Sequence, residues 1–298
     1  MASIASASLL GDTTLTAAPT LNELRTRASA LTHRGHVREN NEDQFLIGDV
    51  SSAIHVKSAS LCPTKIFLGS SPLSLLIVAD GMGGHAGGER ASAIAVSSVE
   101  AFILRTLGHL GALRIQNAED LLRSSFEAAD GSVLEASRSS SSLAGMGTTM
   151  TVALVRGSEA HIAHAGDSRA YLIRDRSLNR LTRDHTVAEE LKARDNGAGS
   201  RVAVDTETLR HMSHMITNAV GGGTAGVEPD VTRIELRAGD RILLCTDGLT
   251  NMVDDARTIE LINANPSLDS ACQTLVDAAL AAGGQDNVTV LVANVEAA

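Results

Sequence analysis

The apolar run Leu75 to Ala79 ends in Asp80-Gly81-Met82-Gly83-Gly84-His85, and this junction constrains the fold more than any other stretch of the chain. A buried strand ends there, and the glycines after its last carboxylate let the backbone turn sharply. Beyond the turn, Ala91, Ile94, Ala95, Val99, Phe102, Ile103 and Leu107 recur at the spacing of a long helix with one apolar face. A carboxylate on the rigid edge of a buried sheet, beside a bare carbonyl, is what a hard divalent cation needs.

The order of elements narrows the fold class. Strand patterns begin near Ala28 and continue at Gln44 to Ile47, with room for an extra hairpin or loop between Val50 and Ser74. A second helix is predicted over Asn117 to Ser137, burying Leu121, Leu122, Phe126, Ala129, Val133 and Leu134. Strands return at Thr148 to Val155, Ala160 to Ala165 and Ala170 to Arg174. A short helix at Val187 to Ala193 and a polar loop lead to strands at Val231 to Leu236 and Arg241 to Cys245. Helices at Ala256 to Ala264 and Leu268 to Ala282, then a strand at Val288 to Val295, complete the chain. Strands come in blocks and helices in pairs, without strict βαβ alternation. This order predicts an α+β fold of antiparallel sheets with helices packed outside. The Ala/Ser/Thr-rich residues 1–24 read as a flexible extension, and residues 25–298 as one domain.

Composition excludes several functions. The chain is 43% hydrophobic but only 2% aromatic, so its core is aliphatic and it offers little surface for stacking bases. A net charge of -10 opposes nucleic-acid and anionic-membrane partners. Cys62, Cys245 and Cys272 lie too far apart for a zinc pattern or a disulfide framework, which suggests free thiols in a reducing, cytoplasmic setting. Cys245, inside Ile242-Leu243-Leu244-Cys245, reads as core packing. No apolar run approaches the roughly 18 residues of a membrane span, and no basic residue precedes Arg25, unlike the start of a secretory signal.

Asp80 is one of a set. Asp167 follows Gly166, Asp247 precedes Gly248, Asp286 lies in Gly283-Gly284-Gln285-Asp286-Asn287, and Asp43 follows Asn41-Glu42. Turn chemistry accounts for any one of them. Together, carboxylates at one end of neighbouring strands would repel unless cations held them. The sequence does not show that they converge.

Eight segments then resemble, in order, the metal-dependent serine/threonine phosphatases of the PP2C (PPM) family in their bacterial form. They are Arg38-Glu39-Asn40-Asn41-Glu42-Asp43, Val78 to His85, Gly147-Thr148-Thr149, Ala165-Gly166-Asp167-Ser168-Arg169, Leu181 to Thr186, Ile216 to Gly221, Thr246-Asp247-Gly248-Leu249, and Gly284 to Thr289. The resemblance implies two packed antiparallel sheets flanked by helix pairs, and a centre holding two Mn²⁺ or Mg²⁺ ions. It assigns Asp80 as the bridging ligand, the Gly81 carbonyl to one metal, and Asp247 and Asp286 to the other. Glu42 and Asp43 would contribute directly or through water, and Asp167 would join Asp247 at a weak third site. Arg38 matches the family's phosphate-binding arginine, a planar fork that stays charged at any working pH. That places Arg38 and Asp80 nearest the chemistry. Phosphorylated proteins are the implied substrates, and a Ser/Thr kinase the implied opponent.

The chain departs from the pattern at three places. Met82 stands where many eukaryotic members have a histidine proposed as general acid, so His85 is a candidate acid beside metal-bound water. Asn251 replaces a frequent aspartate, which weakens the third site. Residues 187–216 match the variable flap, with Ala198-Gly199-Ser200-Arg201 and His211-Met212-Ser213-His214 in place of the usual pattern; the two histidines read as a flexible or surface pair. A catalytically weak regulatory relative and a small-phosphoester hydrolase remain as alternatives to a protein phosphatase.

Overall fold

The computed structural model describes residues 24–50, 54–59, 73–83, 87–110, 118–198, 208–209, 212–223 and 226–297. The expected extension over residues 1–24, Cys62, His85 and His211 therefore lie outside the described residues, apart from Leu24 itself.

Two antiparallel sheets face each other. The first contains β2 (Asp43–Val50), β3 (Ile54–Ala59), β4 (Leu73–Met82), β5 (Gly147–Thr148), β6 (Met150–Arg156), β7 (Glu159–Ala165), β10 (Val220–Gly221) and β11 (Asp230–Glu235). The second has the order β1-β13-β12-β8-β9, formed by Leu24–His33, Val288–Ala297, Arg241–Cys245, Arg169–Arg174 and Ser177–Arg180. Within the Val50 to Ser74 segment, β3 pairs antiparallel with β2. Helices α1 (Gly87–Leu110) and α2 (Ala118–Ser139) cover the first sheet; α5 (Asp255–Ala264) and α6 (Leu268–Ala281) cover the second. Between them, α3 spans Val187–Ala198 and the single turn α4 spans Asp247–Thr250.

Both faces of each sheet are buried, which explains the continuous apolar runs. In β4, Leu75, Ile77 and Ala79 pack under α1 and α2, while Leu76 and Val78 meet the other sheet. In β12, Leu243 and Cys245 face α5 and α6, while Ile242 and Leu244 face the first sheet. Cys245 and Cys272 are free and buried. None of the described helices is long and apolar enough to cross a membrane.

Several boundaries differ from the sequence reading. β4 continues through Asp80 to Met82, because Gly147–Thr148 pairs with its last two residues. Asp80 is therefore inside the strand rather than at its end. The strand expected over Thr148 to Val155 is split at Thr149, opposite Asp80. The strands β9 and β10 and the turn α4 were not foreseen; they are four, two and four residues long. Helix α3 also runs five residues past its expected end at Ala193.

Candidate metal centre at the edge of the sandwich

Alternation along β2 and β4 carries Asp43 and Asp80 into the space between the sheets. Asp43 continues the inter-sheet face of Phe45 and Ile47, and Asp80 that of Leu76 and Val78; the two are cross-strand partners. Like charges directly opposite each other on a sheet oppose pairing. The Asp43 carboxylate also ties the sheets together. Its Oδ2 accepts from Thr246 Oγ1 at 2.9 Å, at the end of β12, and from Thr289 Oγ1 at 2.7 Å on β13.

Two threonines fix the Asp80 backbone. Thr149 N–H donates to the Asp80 carbonyl at 2.8 Å, and Thr148 Oγ1 donates to the same oxygen at 2.8 Å. The Asp80 N–H in turn donates to Thr149 Oγ1 at 3.1 Å. Gly81 is required by close approach: a Cβ there would run into the Gly88 carbonyl at the start of α1. The β7–β8 turn presents Asp167, with Gly166 at φ 111° and with its carbonyl accepting from His185 N–H at 2.7 Å.

Asn287 organises the loop before β2. Its Oδ1 accepts from Glu42 N–H at 2.7 Å, and its Nδ2 donates to the carbonyls of Arg34 and Asn40. This clamp sets Arg38 beside Asp286, where Nη2 donates to Oδ2 at 2.7 Å. Asn287 stood within a recognised segment, but its spanning of two loops was not readable from sequence. Asn251, expected as a weak ligand, donates from Nδ2 to Asp247 Oδ2 at 3.0 Å and steadies that carboxylate.

A cavity of about 1390 Å³ opens at this edge. Arg38, Glu42, Asp80, Asp167, Asp247 and Asp286 all line it, and Asp43 lies buried beneath. The sequence candidates are thus brought together, except His85, which lies outside the described residues. His214, expected as one of a flexible or surface pair, is exposed and also lines the cavity.

The electrostatics are those of crowded, desolvated acids. Burial, then the neighbouring carboxylates Asp43, Asp247, Asp167 and Asp286, hold the Asp80 carboxyl well above the usual range. Burial pushes Asp43 up to about 7 against the two threonine hydroxyls, and Asp167 up to about 8 with Asp247 and Asp184 nearby. Asp247 is also raised, by burial and Asp286, although it hydrogen-bonds with the Asp80 side chain. Asp43 Oδ1 and Asp247 Oδ1 are buried with no hydrogen-bond partner. Orphaned carboxylate oxygens in such a cluster suit hard divalent cations. No three acidic side chains among the described residues close on one point at ligand distance, because Asp286 is turned onto Arg38 and Asp247 onto Asp80.

Comparison with known proteins places this arrangement. Residues 49–288 match the family model described as protein phosphatase 2C. The chain is 35% identical over 272 residues to the serine/threonine protein phosphatase PstP of Mycobacterium tuberculosis, covering 90% of this chain and 45% of that protein. It spans about half the length of that relative. Identity to the serine/threonine phosphatase stp of Listeria welshimeri is 32% over 260 residues, covering 87% of this chain and 92% of the other. The solved PstP catalytic domain, in complex with two manganese ions, superposes with a TM-score of 0.68 at 34% identity, over 92% of this chain and 99% of that one. The Streptococcus agalactiae serine/threonine phosphatase gives 0.73 at 28% identity, over 91% and 100%. The chain belongs to the protein phosphatase 2C family.

Proposed function

We propose that the chain is a metal-dependent phosphatase acting on phosphoserine and phosphothreonine in proteins, opposing a Ser/Thr kinase in the cytoplasm. One observation carries the reading: five buried or half-buried aspartates from both sheets meet at one edge, two of their oxygens unpartnered, beside the Arg38 guanidinium. The manganese ions of the related PstP domain support Mn²⁺, or the similar Mg²⁺, as the cofactor.

Asp80, the Gly81 carbonyl, Asp247 and Asp286 would hold two cations, Glu42 and Asp43 acting directly or through water. Asp167 with Asp247 would provide a weaker third site, and Asn251 orients Asp247. Such a pair supplies a water activated for in-line attack and neutralises charge on the phosphoryl oxygens. Arg38, at the cavity mouth, holds the phosphate bidentately and stays charged at any working pH. Asp43 and its two threonines keep the sheets in register beneath the site.

The test compares kcat/KM for a phosphothreonine peptide with that for small phosphoesters such as glycerol phosphate, in Mn²⁺. A clear preference for the peptide is expected. A preference for the small esters would overturn the protein-substrate reading.

A further inference from the structure

We propose that His214 is the general acid that protonates the departing serine or threonine oxygen. The inference rests on the phosphatase reading above and assigns the step that Met82, a thioether, cannot perform.

Breaking the bond from phosphorus to a serine oxygen leaves an alkoxide, which needs a proton as it departs. Among the described residues lining the cavity, His214 is the only imidazole. Arg38 does not release its proton at working pH, and Glu42, Asp80, Asp167, Asp247 and Asp286 are the cation ligands of the proposed centre. Imidazole changes charge near neutral pH and so suits the task. His214 lines the same cavity as Asp80, Asp167 and Asp247.

The segment carrying His214 is tethered rather than loose. Val187 N–H donates to the Met215 carbonyl at 2.9 Å, and Thr217 N–H to the His185 carbonyl at 2.9 Å. Ile216 bridges Thr186, and Asn218 Nδ2 donates to the Glu228 carbonyl at 2.7 Å. The ring is exposed at the cavity rim, so an approaching phosphopeptide meets it and solvent restores its proton. In the step, the water oxygen forms the new bond to phosphorus. The electron pair of the breaking P–O bond goes to the serine or threonine oxygen, which takes the His214 proton, and the attacking water gives its proton to solvent.

The test uses leaving-group dependence. His214→Gln and the wild type are compared in Mn²⁺ on a phosphothreonine peptide and on p-nitrophenyl phosphate, whose leaving group needs little protonation. The variant is expected to lose about 10²-fold or more in kcat on the peptide, with a much smaller loss on the aryl ester. Added imidazole should restore part of the peptide activity of His214→Ala. Equal losses on both substrates, or none on the peptide, with an unchanged melting temperature, would overturn the assignment. A wild type that hydrolyses neither substrate would sink the phosphatase reading along with it.

Discussion

Asp43 shows how single residues make this site conditional. Burial holds its carboxyl at about 7, and that of Asp167 at about 8, so the folded chain binds protons that the unfolded chain releases near pH 4. Stability from these groups is present below the unfolded values and is lost as pH rises through the folded ones. The metal-stripped protein should therefore melt at progressively lower temperature between about pH 4 and pH 8. Mn²⁺ should flatten the slope by replacing the protons. A melting temperature in EDTA that does not fall across this window would contradict the account. Thr289→Val removes the shorter of the two hydroxyl bonds to Asp43 and should cost about 1–3 kcal/mol in denaturant unfolding. Arg38→Ala should lower kcat/KM on a phosphopeptide by about ten- to a hundredfold, the worth of a charge-assisted contact. These candidates were readable because each sits in a distinctive short segment. His214 was not, because it belongs to a segment that departs from the family pattern and is placed by tethers to His185 and Val187.

Elements that bury a continuous apolar face were legible in sequence. The strands β4, β6, β7, β12 and β13 and the four covering helices all carry such faces. What escaped was short and set by tertiary pairing. β9 is polar and exists because it completes an edge beside β8; β10 has two residues and pairs with β5. The extension of β4 past Asp80 has the same cause, since Gly81 and Met82 gain partners only when β5 arrives. This junction leaves no room for a side chain at Gly81. Gly81→Ala should push the start of α1 away from β4, costing about 1–3 kcal/mol in urea unfolding, and should abolish phosphatase activity. An active, equally stable variant would show that the close approach of β4 to Gly88 is not required.

For the whole molecule, the sandwich itself makes the site. Asp43 and Asp80 come from one sheet; Asp247 and Asp286 lie at the ends of strands in the other. No local pattern reveals that meeting, which is why the sequence showed five separate aspartates and only the resemblance joined them. Cations held between the sheets should stabilise the folded state globally, by about 2.7 kcal/mol at a hundredfold excess over the dissociation constant. The most direct measurement is hydrolysis of a phosphothreonine peptide by EDTA-stripped protein titrated with Mn²⁺, for the wild type beside Asp80→Ala and Asp286→Ala. No turnover is expected without metal, with saturable recovery in the wild type and none in either variant. Full hydrolysis by the stripped protein, or by Asp80→Ala, would contradict this.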